Sequence, residues 1–424
     1  MQVIAVMLIL LLIAKDASHL GDRFIMRGLA QGMCLFGGAM WFLRGAFSNV
    51  FTRYAFILIY IAVNGISAIF SEYPVFVSLQ VISFLSVALF AIAAVESDRG
   101  HGLINRTMLA SSWFGYGLVC VASLLVIKLL PDVAYKTTDI AGGVRFVGVL
   151  GMPAMMAEAS GILLGISMLG AHRLLPRMQT VIRLGAIPAL VCLFLTGART
   201  FWVAAAAAFL VTSWFYSKNR WQLYVGGLCL AVIVAVASIA IDVRISKDQM
   251  EKTLRPDSVT HLTGRVGIWE RAFEKFQERP LLGYGFSATG ATFISSRTLS
   301  SDEMARTNMA AITMHNGYIQ AFLDSGFLGG ALYGIIVVGG VFRLLRLDVE
   351  RKFAAETFLV VFLAVSNLGE SVIYTMGSFP SALFWVLAVF AFSMMRNVVP
   401  PTEVTPLINT FADSKESTTR DGLL

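Results

Sequence analysis

Residues 203–211 read VAAAAAFLV, and residues 228–241 read LCLAVIVAVASIAI. Neither stretch contains a charged residue, and neither alternates apolar with polar residues as the strands of a membrane β-barrel do. In lipid the backbone must satisfy its hydrogen bonds internally, and a helix does so within a single segment. Both stretches therefore predict membrane-spanning helices and indicate an all-α polytopic membrane protein.

The composition of the whole chain agrees with this prediction. Of the 424 residues, 57% are hydrophobic and 14% are charged, whereas an ordinary soluble domain has about 25% charged residues. This difference excludes a soluble enzyme. The net charge of +7 comes from basic residues scattered among short loops, so we expect membrane lipid as a partner and no nucleic acid.

About twelve segments are long and apolar enough to span a bilayer, which takes about twenty residues each. They lie near residues 2–14, 28–47, 54–70, 75–95, 107–130, 146–171, 181–196, 200–216, 221–241, 327–345, 353–369 and 380–396. The first segment is short, like a signal peptide, but no small-residue cleavage site follows it. We therefore expect it to remain as a membrane anchor.

The basic residues set the expected orientation. Loops on the same side as both termini carry about twice as many Lys and Arg as the short loops opposite, which places both termini in the cytoplasm. Residues 1–241 then hold helices one to nine, and 242–326 form a large periplasmic loop. Residues 327–396 hold helices ten to twelve, and 397–424 form a disordered cytoplasmic tail.

The large loop is expected to contain two short helices. Apolar residues recur at helical spacing over 266–276 with charged residues on the other side, which predicts an amphipathic helix. We expect Thr263 to cap this helix and Pro280 to end it. A second short helix is expected over 314–323, with a break at Gly326 before the tenth span.

Three arginines depart from the charge rule. Arg145, Arg199 and Arg265 lie on the expected outer side, each after a glycine and each expected within the first residues of a helix. A helix start offers free N–H groups and the positive end of the dipole, so an arginine there strengthens an anion site. A guanidinium also binds phosphate through two parallel hydrogen bonds. The three predict a site for a phosphorylated ligand; interfacial anchoring is the alternative.

His315 is expected to begin the second short helix, again on the outer side. Its neutral form near pH 7 suits it to orient an acceptor hydroxyl or to take its proton, and a structural role is the alternative. Asn316 and Tyr318 follow in the same motif and are expected to support it. The other histidines and the four cysteines show no ligand spacing, so we expect neither a metal site nor a cofactor.

Two carboxylates lie in apolar surroundings. Glu158 is inside the sixth predicted span, and Glu370 stands at an outer helix end. Burying an unpaired acid is costly, so both are candidates for a supporting role in the site. The alternative for Glu158 is an ion pair with one of the arginines, which it would position.

Five short motifs lie between residues 196 and 329. They are Thr196-Gly197-Ala198-Arg199, Gly264-Arg265 with Trp269, Pro280-Leu281-Leu282-Gly283-Tyr284-Gly285, His315-Asn316-Gly317-Tyr318 and Gly326-Phe327-Leu328-Gly329. As a set they resemble the O-antigen ligase and O-antigen polymerase superfamily of bacterial inner-membrane glycosyltransferases. One residue departs from the pattern, because many relatives have Ser where this chain has Ala198.

The resemblance implies a GT-C-like fold and a reaction. A glycan would pass from undecaprenyl diphosphate to a hydroxyl on the periplasmic side, with inversion and without a metal ion. The family's arginines, matching Arg199 and Arg265, are implied to hold the diphosphate, and the histidine matching His315 to act on the acceptor. We add Arg145 to the diphosphate site from its position.

The acceptor and the class of protein leave alternatives. A ligase would use lipid A-core as acceptor, and a polymerase would use a second lipid-linked glycan. The single large loop favours the ligase. A transporter or flippase of lipid-linked glycan is the alternative of another class, but transporters commonly show internal repeats, which this sequence lacks.

Overall fold

The computed structural model describes eleven parts of the chain. They are residue 6, residues 23–43, 50–98, 103–137, 144–174, 176–216, 261–290, residue 292, and residues 314–347, 352–375 and 378–394. The ninth predicted span (221–241), the predicted tail (397–424) and nearly all of the first predicted span (2–14) lie outside these parts.

The described parts are mostly helical. In chain order the helices are α1 (Arg23–Phe42), α2 (Val50–Arg53), α3 (Ala55–Phe70), α4 (Pro74–Ser97), α5 (Leu103–Leu129), α6 (Pro131–Ala134), α7 (Pro153–Gly165), α8 (Ala171–Leu174), α9 (Gln179–Leu184), α10 (Ala186–Leu195), α11 (Arg199–Tyr216), α12 (His261–Glu278), α13 (Gly317–Leu347), α14 (Ala354–Ser366) and α15 (Phe379–Ser393). A π-helical turn, Ile166–Gly170, joins α7 to α8, and 3₁₀ turns occupy Gly148–Leu150 and Pro176–Met178. Two strands, β1 (Tyr135–Thr137) and β2 (Val144–Phe146), form an antiparallel pair.

Within the described parts of the chain, four helices are long and apolar enough to cross a membrane. They are Pro74–Ser97, Ile104–Leu129, Pro153–Leu174 and Gly317–Arg346. Shorter apolar helices accompany them at Ala55–Phe70, Gln179–Leu195, Ala354–Ser366 and Phe379–Ser393. The predicted class of all-α membrane protein is confirmed, and the count of about twelve spans stays a prediction.

Close packing of α7 on α14 holds the centre of the bundle together. Gly161 and Gly165 of α7 face the rings of Phe362 and Phe358, and a Cβ at either glycine would overlap its ring. Small residues allow helix backbones to approach in this way in a membrane. Helix α11 lies on the same two rings, with Phe209 at 4.7 Å from Phe358 between ring centroids.

A buried aromatic cluster joins the spans to part of the predicted loop. The spans contribute Tyr60, Phe84, Tyr333 and Trp385, and the turn between α14 and α15 contributes Tyr374. Phe286 inserts among them, with ring centroids 5.3 Å from Tyr374 and 5.7 Å from Phe84. Residues near 286 are therefore core of the bundle, although the sequence analysis assigned them to the loop 242–326.

The prediction for the start of the sixth span is wrong. The helix begins at Pro153 and not near 146, because Gly151 adopts a left-handed conformation (φ 74°) and Met152 is extended. The preceding residues form the β1–β2 hairpin, in which Arg145 pairs with Lys136. Arg145 is thus a strand residue, and the helix start that suggested its anion-binding role does not exist there.

Two further helix boundaries differ from the predictions. Helix α12 begins at His261, so Thr263 is its third residue and cannot be a cap, which must lie outside the helix. Its end at Glu278, before Pro280, is as predicted. The second short helix begins at Gly317 and not at residue 314, and the predicted break at Gly326 is confirmed by its non-helical backbone (φ 64°, ψ −169°).

Candidate active site

A histidine and a carboxylate that the sequence analysis chose separately meet in the structure. Nδ1 of His315 lies 2.8 Å from Oε2 of Glu370, and the side chains are 39% and 21% exposed. A carboxylate accepts hydrogen bonds, so Nδ1 is the nitrogen that carries the proton. In the neutral ring Nε2 is then left with its lone pair, ready to accept a proton.

The backbone around His315 sets the direction of its side chain. His315 has a positive φ of 48°, which is uncommon for a residue with a Cβ. It therefore precedes α13 and does not begin it, contrary to the prediction. Asn316 is the cap, since its Oδ1 accepts hydrogen bonds from the backbone N–H groups of Tyr318 (3.0 Å) and Ile319 (3.1 Å).

The turn that carries Glu370 is attached directly to the start of α13. The N–H of Gly317 donates to the carbonyl of Asn367 at 2.9 Å, and a Cβ at Gly317 would overlap the Asn367 side chain. Asn367 in turn donates to the Tyr333 hydroxyl (3.0 Å) and accepts from the N–H of Ile373 (3.1 Å). The glycine of the His-Asn-Gly-Tyr motif thus allows the two segments to touch.

Tyr318 secures the same junction from the side. Its hydroxyl donates to the carbonyl of Ala364, 2.9 Å away in the last turn of α14. This bond fixes the first turn of α13 to the helix that precedes Glu370. The supporting role predicted for Tyr318 and Asn316 is thus consistent with contacts that hold backbone in place.

Arg199 lies beside the Glu370 turn. As predicted, a helix begins at Arg199, after Gly197 with its φ of 63°, and the arginine is exposed. The next residue, Thr200, packs so closely on Gly369 that a Cβ there would overlap it. The N-terminus of α11 therefore lies next to the residue that precedes Glu370.

The amphipathic helix α12 reaches the same region. The indole N–H of Trp269 donates to the carbonyl of Met314 at 2.9 Å, immediately before His315. Position 265 lies one turn earlier in this helix, about 6 Å along its axis. The side chain of Arg265 lies outside the described residues, so its backbone position alone links it to the site.

Glu158 lies buried at the same end of the bundle, 9% exposed. In α7, Glu158 lies one turn before Gly161, which faces the ring of Phe362. In α11, Arg199 lies two residues before Phe201, whose ring centroid is 6.2 Å from that of Phe362. At 1.5 Å per residue, Glu158 and Arg199 rise about 4.5 Å and about 3 Å above that ring. The two residues therefore lie at a similar height along their helices, and an ion pair between them stays a prediction.

Arg145 lies on a hairpin with its own attachment to the bundle. The hairpin that carries it is attached to α6, where the N–H of Val147 donates to the carbonyl of Ala134 at 2.8 Å. The ring of Phe146 contacts Tyr135 on the buried face, which leaves Arg145 on the exposed face. Among the described residues, these contacts do not tie it to His315 or Glu370.

Comparison with known proteins assigns the segment that carries most of these residues. Residues 184–334 match the family model described as O-antigen ligase. This segment is similar to the O-antigen ligase and polymerase superfamily. It contains Arg199, Arg265 and His315, whereas Glu370, the hydrogen-bond partner of His315, lies beyond the matched O-antigen ligase segment.

Two relatives are similar over part of their length. The exopolysaccharide production protein ExoQ of Rhizobium meliloti (strain 1021) is 26% identical over 190 residues, which cover 38% of this chain and 43% of the relative. An uncharacterized protein of Haemophilus influenzae is 21% identical over 161 residues, covering 36% of this chain and 40% of the relative. The chain thus spans less than half the length of these relatives.

The sequence analysis missed one acid within the O-antigen ligase segment. Asp324 is fully buried in α13, two residues before the break at Gly326. The rule that singled out Glu158, an acid within an apolar stretch, applies equally to Asp324 in AFLDSGFLGG. The pairing of His315 with Glu370 was also missed, because fifty-five positions separate them and no local pattern links them.

Proposed function

We propose that this chain is a metal-independent, inverting glycosyltransferase of the bacterial inner membrane, with its active site facing the periplasm. It moves a glycan from undecaprenyl diphosphate to an acceptor hydroxyl. The observation that carries this proposal is the hydrogen bond of His315 to Glu370, formed where the helix that starts at Arg199 meets the same turn.

His315 acts as the general base. Glu370 holds Nδ1–H, so Nε2 faces the acceptor and takes the proton of its hydroxyl. The hydroxyl oxygen attacks the anomeric carbon from the face opposite the diphosphate, and the bond from that carbon to the diphosphate oxygen breaks. The new glycosidic bond carries inverted configuration.

Arginines stabilise the departing diphosphate, which leaves with the bonding electron pair. Arg199 at the start of α11 and Arg265 in α12 neutralise this charge, and the positive end of the α11 dipole adds to their effect. Neutralisation by guanidinium groups removes the need for a metal ion or a general acid. We leave Arg145 out of the proposed diphosphate site, because the helix start on which its inclusion depended is absent.

The acceptor most in keeping with the matched family description is lipid A-core, which makes the chain an O-antigen ligase. A second candidate is polymerisation onto a lipid-linked glycan, and it is favoured by the similarity to a protein named for exopolysaccharide production. The two differ only in which hydroxyl reaches Nε2 of His315.

Purified protein in vesicles, given lipid-linked donor without an ion gradient, tests the proposal. One arm contains lipid A-core and the other a lipid-linked repeat unit, and covalent product in either arm identifies the acceptor. Product in neither arm, with movement of intact donor across the bilayer, would instead establish a transporter. Added chelator is expected to leave the rate unchanged.

Substitution of the arginines gives the first prediction. Arg199→Ala and Arg265→Ala should each lower the transfer rate at least about 100-fold, because charge stabilisation of the leaving group is lost. Lysine at either position should also be costly, since it cannot bind phosphate through a planar fork. Arg177→Ala, at the α8 end of the bundle, is the control and should transfer normally. Near-normal transfer by either of the first two variants would remove that arginine from the diphosphate site.

A further inference from the structure

Two of the sequence motifs without a chemical role contact each other backbone to backbone. The N–H of Phe327 donates to the carbonyl of Pro280 at 2.7 Å. In the opposite sense, the N–H groups of Tyr284 and Gly285 donate to the carbonyls of Leu323 (3.2 Å) and Asp324 (2.8 Å). The segment after α12 therefore pairs with the break in α13.

Two glycines are required for this backbone contact. Gly283 (φ 66°) and Gly326 (φ 64°) both adopt the left-handed conformation. A Cβ at Gly283 would overlap the backbone of Asp324, and a Cβ at Gly326 would overlap the backbone of Leu281. Conformation and close approach thus both require glycine at these two positions.

The carboxylate of Asp324 adds the polar part of the junction. Its Oδ1 accepts hydrogen bonds from the backbone N–H (2.7 Å) and the hydroxyl (2.6 Å) of Thr289. Both residues are fully buried. A buried acid is costly even when hydrogen-bonded, and an apolar residue of similar volume is often as stable. We therefore expect the hydrogen-bonded pair of Asp324 and Thr289 to fix the geometry of the junction and not to add stability.

The break divides α13 into two unequal parts. The short part, 317–325, runs about 12 Å from the Asn316 cap to Asp324. One end carries His315 and its contacts with the Glu370 turn, and the other end is fixed by Asp324 and Thr289. A rotation at the fixed end would displace the histidine at the other.

We propose that Asp324 is a positioning residue, which with Thr289 fixes the break at Gly326 and so directs the short part of α13 that presents His315 to Glu370. This role rests on the proposed function. The substrate does not touch Asp324. The carboxylate acts through the helix that it holds.

Other contacts keep the junction folded when this pair is removed. Ser325 donates to Oδ1 of Asn64 at 2.5 Å, and Phe286 is inserted in the aromatic cluster. These contacts do not involve the Asp324 carboxylate. Loss of that carboxylate is therefore expected to loosen the direction of the short helix without unfolding the bundle.

The kinetic test compares two variants of Asp324 in vesicles. Asp324→Ala should lower kcat about 30- to 100-fold with KM for the donor within about twofold, because a misplaced base slows proton transfer without weakening donor binding. Asp324→Asn keeps the shape and an acceptor oxygen, and it should restore kcat to within about threefold of wild type. Failure of Asp324→Asn to rescue, or a change confined to KM, would contradict the positioning role.

A double-mutant cycle separates positioning from general destabilisation. In a Glu370→Gln background, Asp324→Ala should lower kcat by less than about threefold more, since both changes act through the same imidazole. Full multiplication of the two effects would overturn the proposal. Thr289→Val, which removes the hydroxyl and keeps the volume, should show the same coupling and serves if Asp324→Ala does not fold.

Hydrogen exchange gives a readout that does not depend on transfer. In Asp324→Ala, amides of 317–325 should exchange at least about tenfold faster, while those of α15 stay unchanged. If wild-type protein shows no transfer, the proposed function fails and exchange still tests the role of Asp324. Unchanged exchange at 317–325 would show that Asp324 does not hold this helix.

Discussion

Helix α14 has an acid–base pair near each end, and the two pairs differ in burial and in the type of base. At its start, Glu356 is fully buried and accepts a hydrogen bond from Arg173 at 2.6 Å. Arg173 also donates to the carbonyl of Lys352 and lies over the ring of Phe353, 4.8 Å from its centroid. Beyond its end, Glu370 meets His315 in a partly exposed contact.

The two pairs contribute differently to stability. Removing one partner of a buried ion pair costs about 3–5 kcal/mol, because the other charge stays buried. A partly exposed pair contributes about 0–1 kcal/mol, and the positive φ of His315 itself costs about 1–3 kcal/mol. The fold depends on the Arg173 end and gains little from the His315 end. A strained pair with little structural benefit is more typical of a functional site.

Replacing the histidine near each end of α14 should give the largest difference in transfer rate between the two ends. His315→Ala should lower transfer about 100- to 10,000-fold, the range that a general base contributes, and its melting temperature should stay close to wild type. His172→Ala, next to Arg173, is the matched control and should transfer normally. Equal activity of the two variants in the vesicle assay would contradict the role given to His315.

Neutralising the carboxylate at one end of α14 should lower the transfer rate, and neutralising the one at the other end should lower stability. Glu370→Gln should lower transfer at least about tenfold with little change in stability, because the imidazole loses the charge that stabilises its protonated form. Glu356→Gln should lower the free energy of unfolding by about 1.5–3 kcal/mol, since Arg173 loses a charge-assisted hydrogen bond, while kcat of the folded fraction stays normal. Transfer rates and thermal unfolding of both variants check this. A stability loss in Glu370→Gln equal to that in Glu356→Gln would remove the distinction between the ends.

The smallest effect is expected from two helix caps. Asn316 caps α13, and Ser378 caps α15 by accepting from the N–H of Ser381 at 3.3 Å. Alanine at either position should cost about 1 kcal/mol of stability. Only Asn316→Ala should also lower kcat, by a few-fold, because its cap adjoins His315. If Ser378→Ala slowed transfer as much, the loss would reflect stability alone.

Hydrophobicity predicted most of the helices, and local chemistry predicted some of their ends. The spans corresponding to α3, α4, α11 and α15 agree to within a few residues because long apolar stretches leave few alternatives in lipid. Arg199 and Gly326 were placed well because each follows a short turn signal. The β1–β2 hairpin was missed, since a three-residue strand has too few positions to show a period.

The residues of the candidate site could be predicted from the sequence, but their arrangement in space could not. Arg199, His315 and Glu370 each stood out by charge and position, whereas their proximity depends on contacts such as Thr200 with Gly369. Arg145 was assigned to a helix start because its neighbourhood is glycine-rich, and the hairpin overrides that reasoning. Asp324 was overlooked although its surroundings are as apolar as those of Glu158.

The insertion of Phe286 among the rings of the spans limits how the loop can be exchanged between relatives. Residues 280–290 behave as part of the helical framework, so a chimera cut at the end of α12 would remove a piece of its interior. An exchange point after Thr292 would keep this piece together with the rings that enclose it.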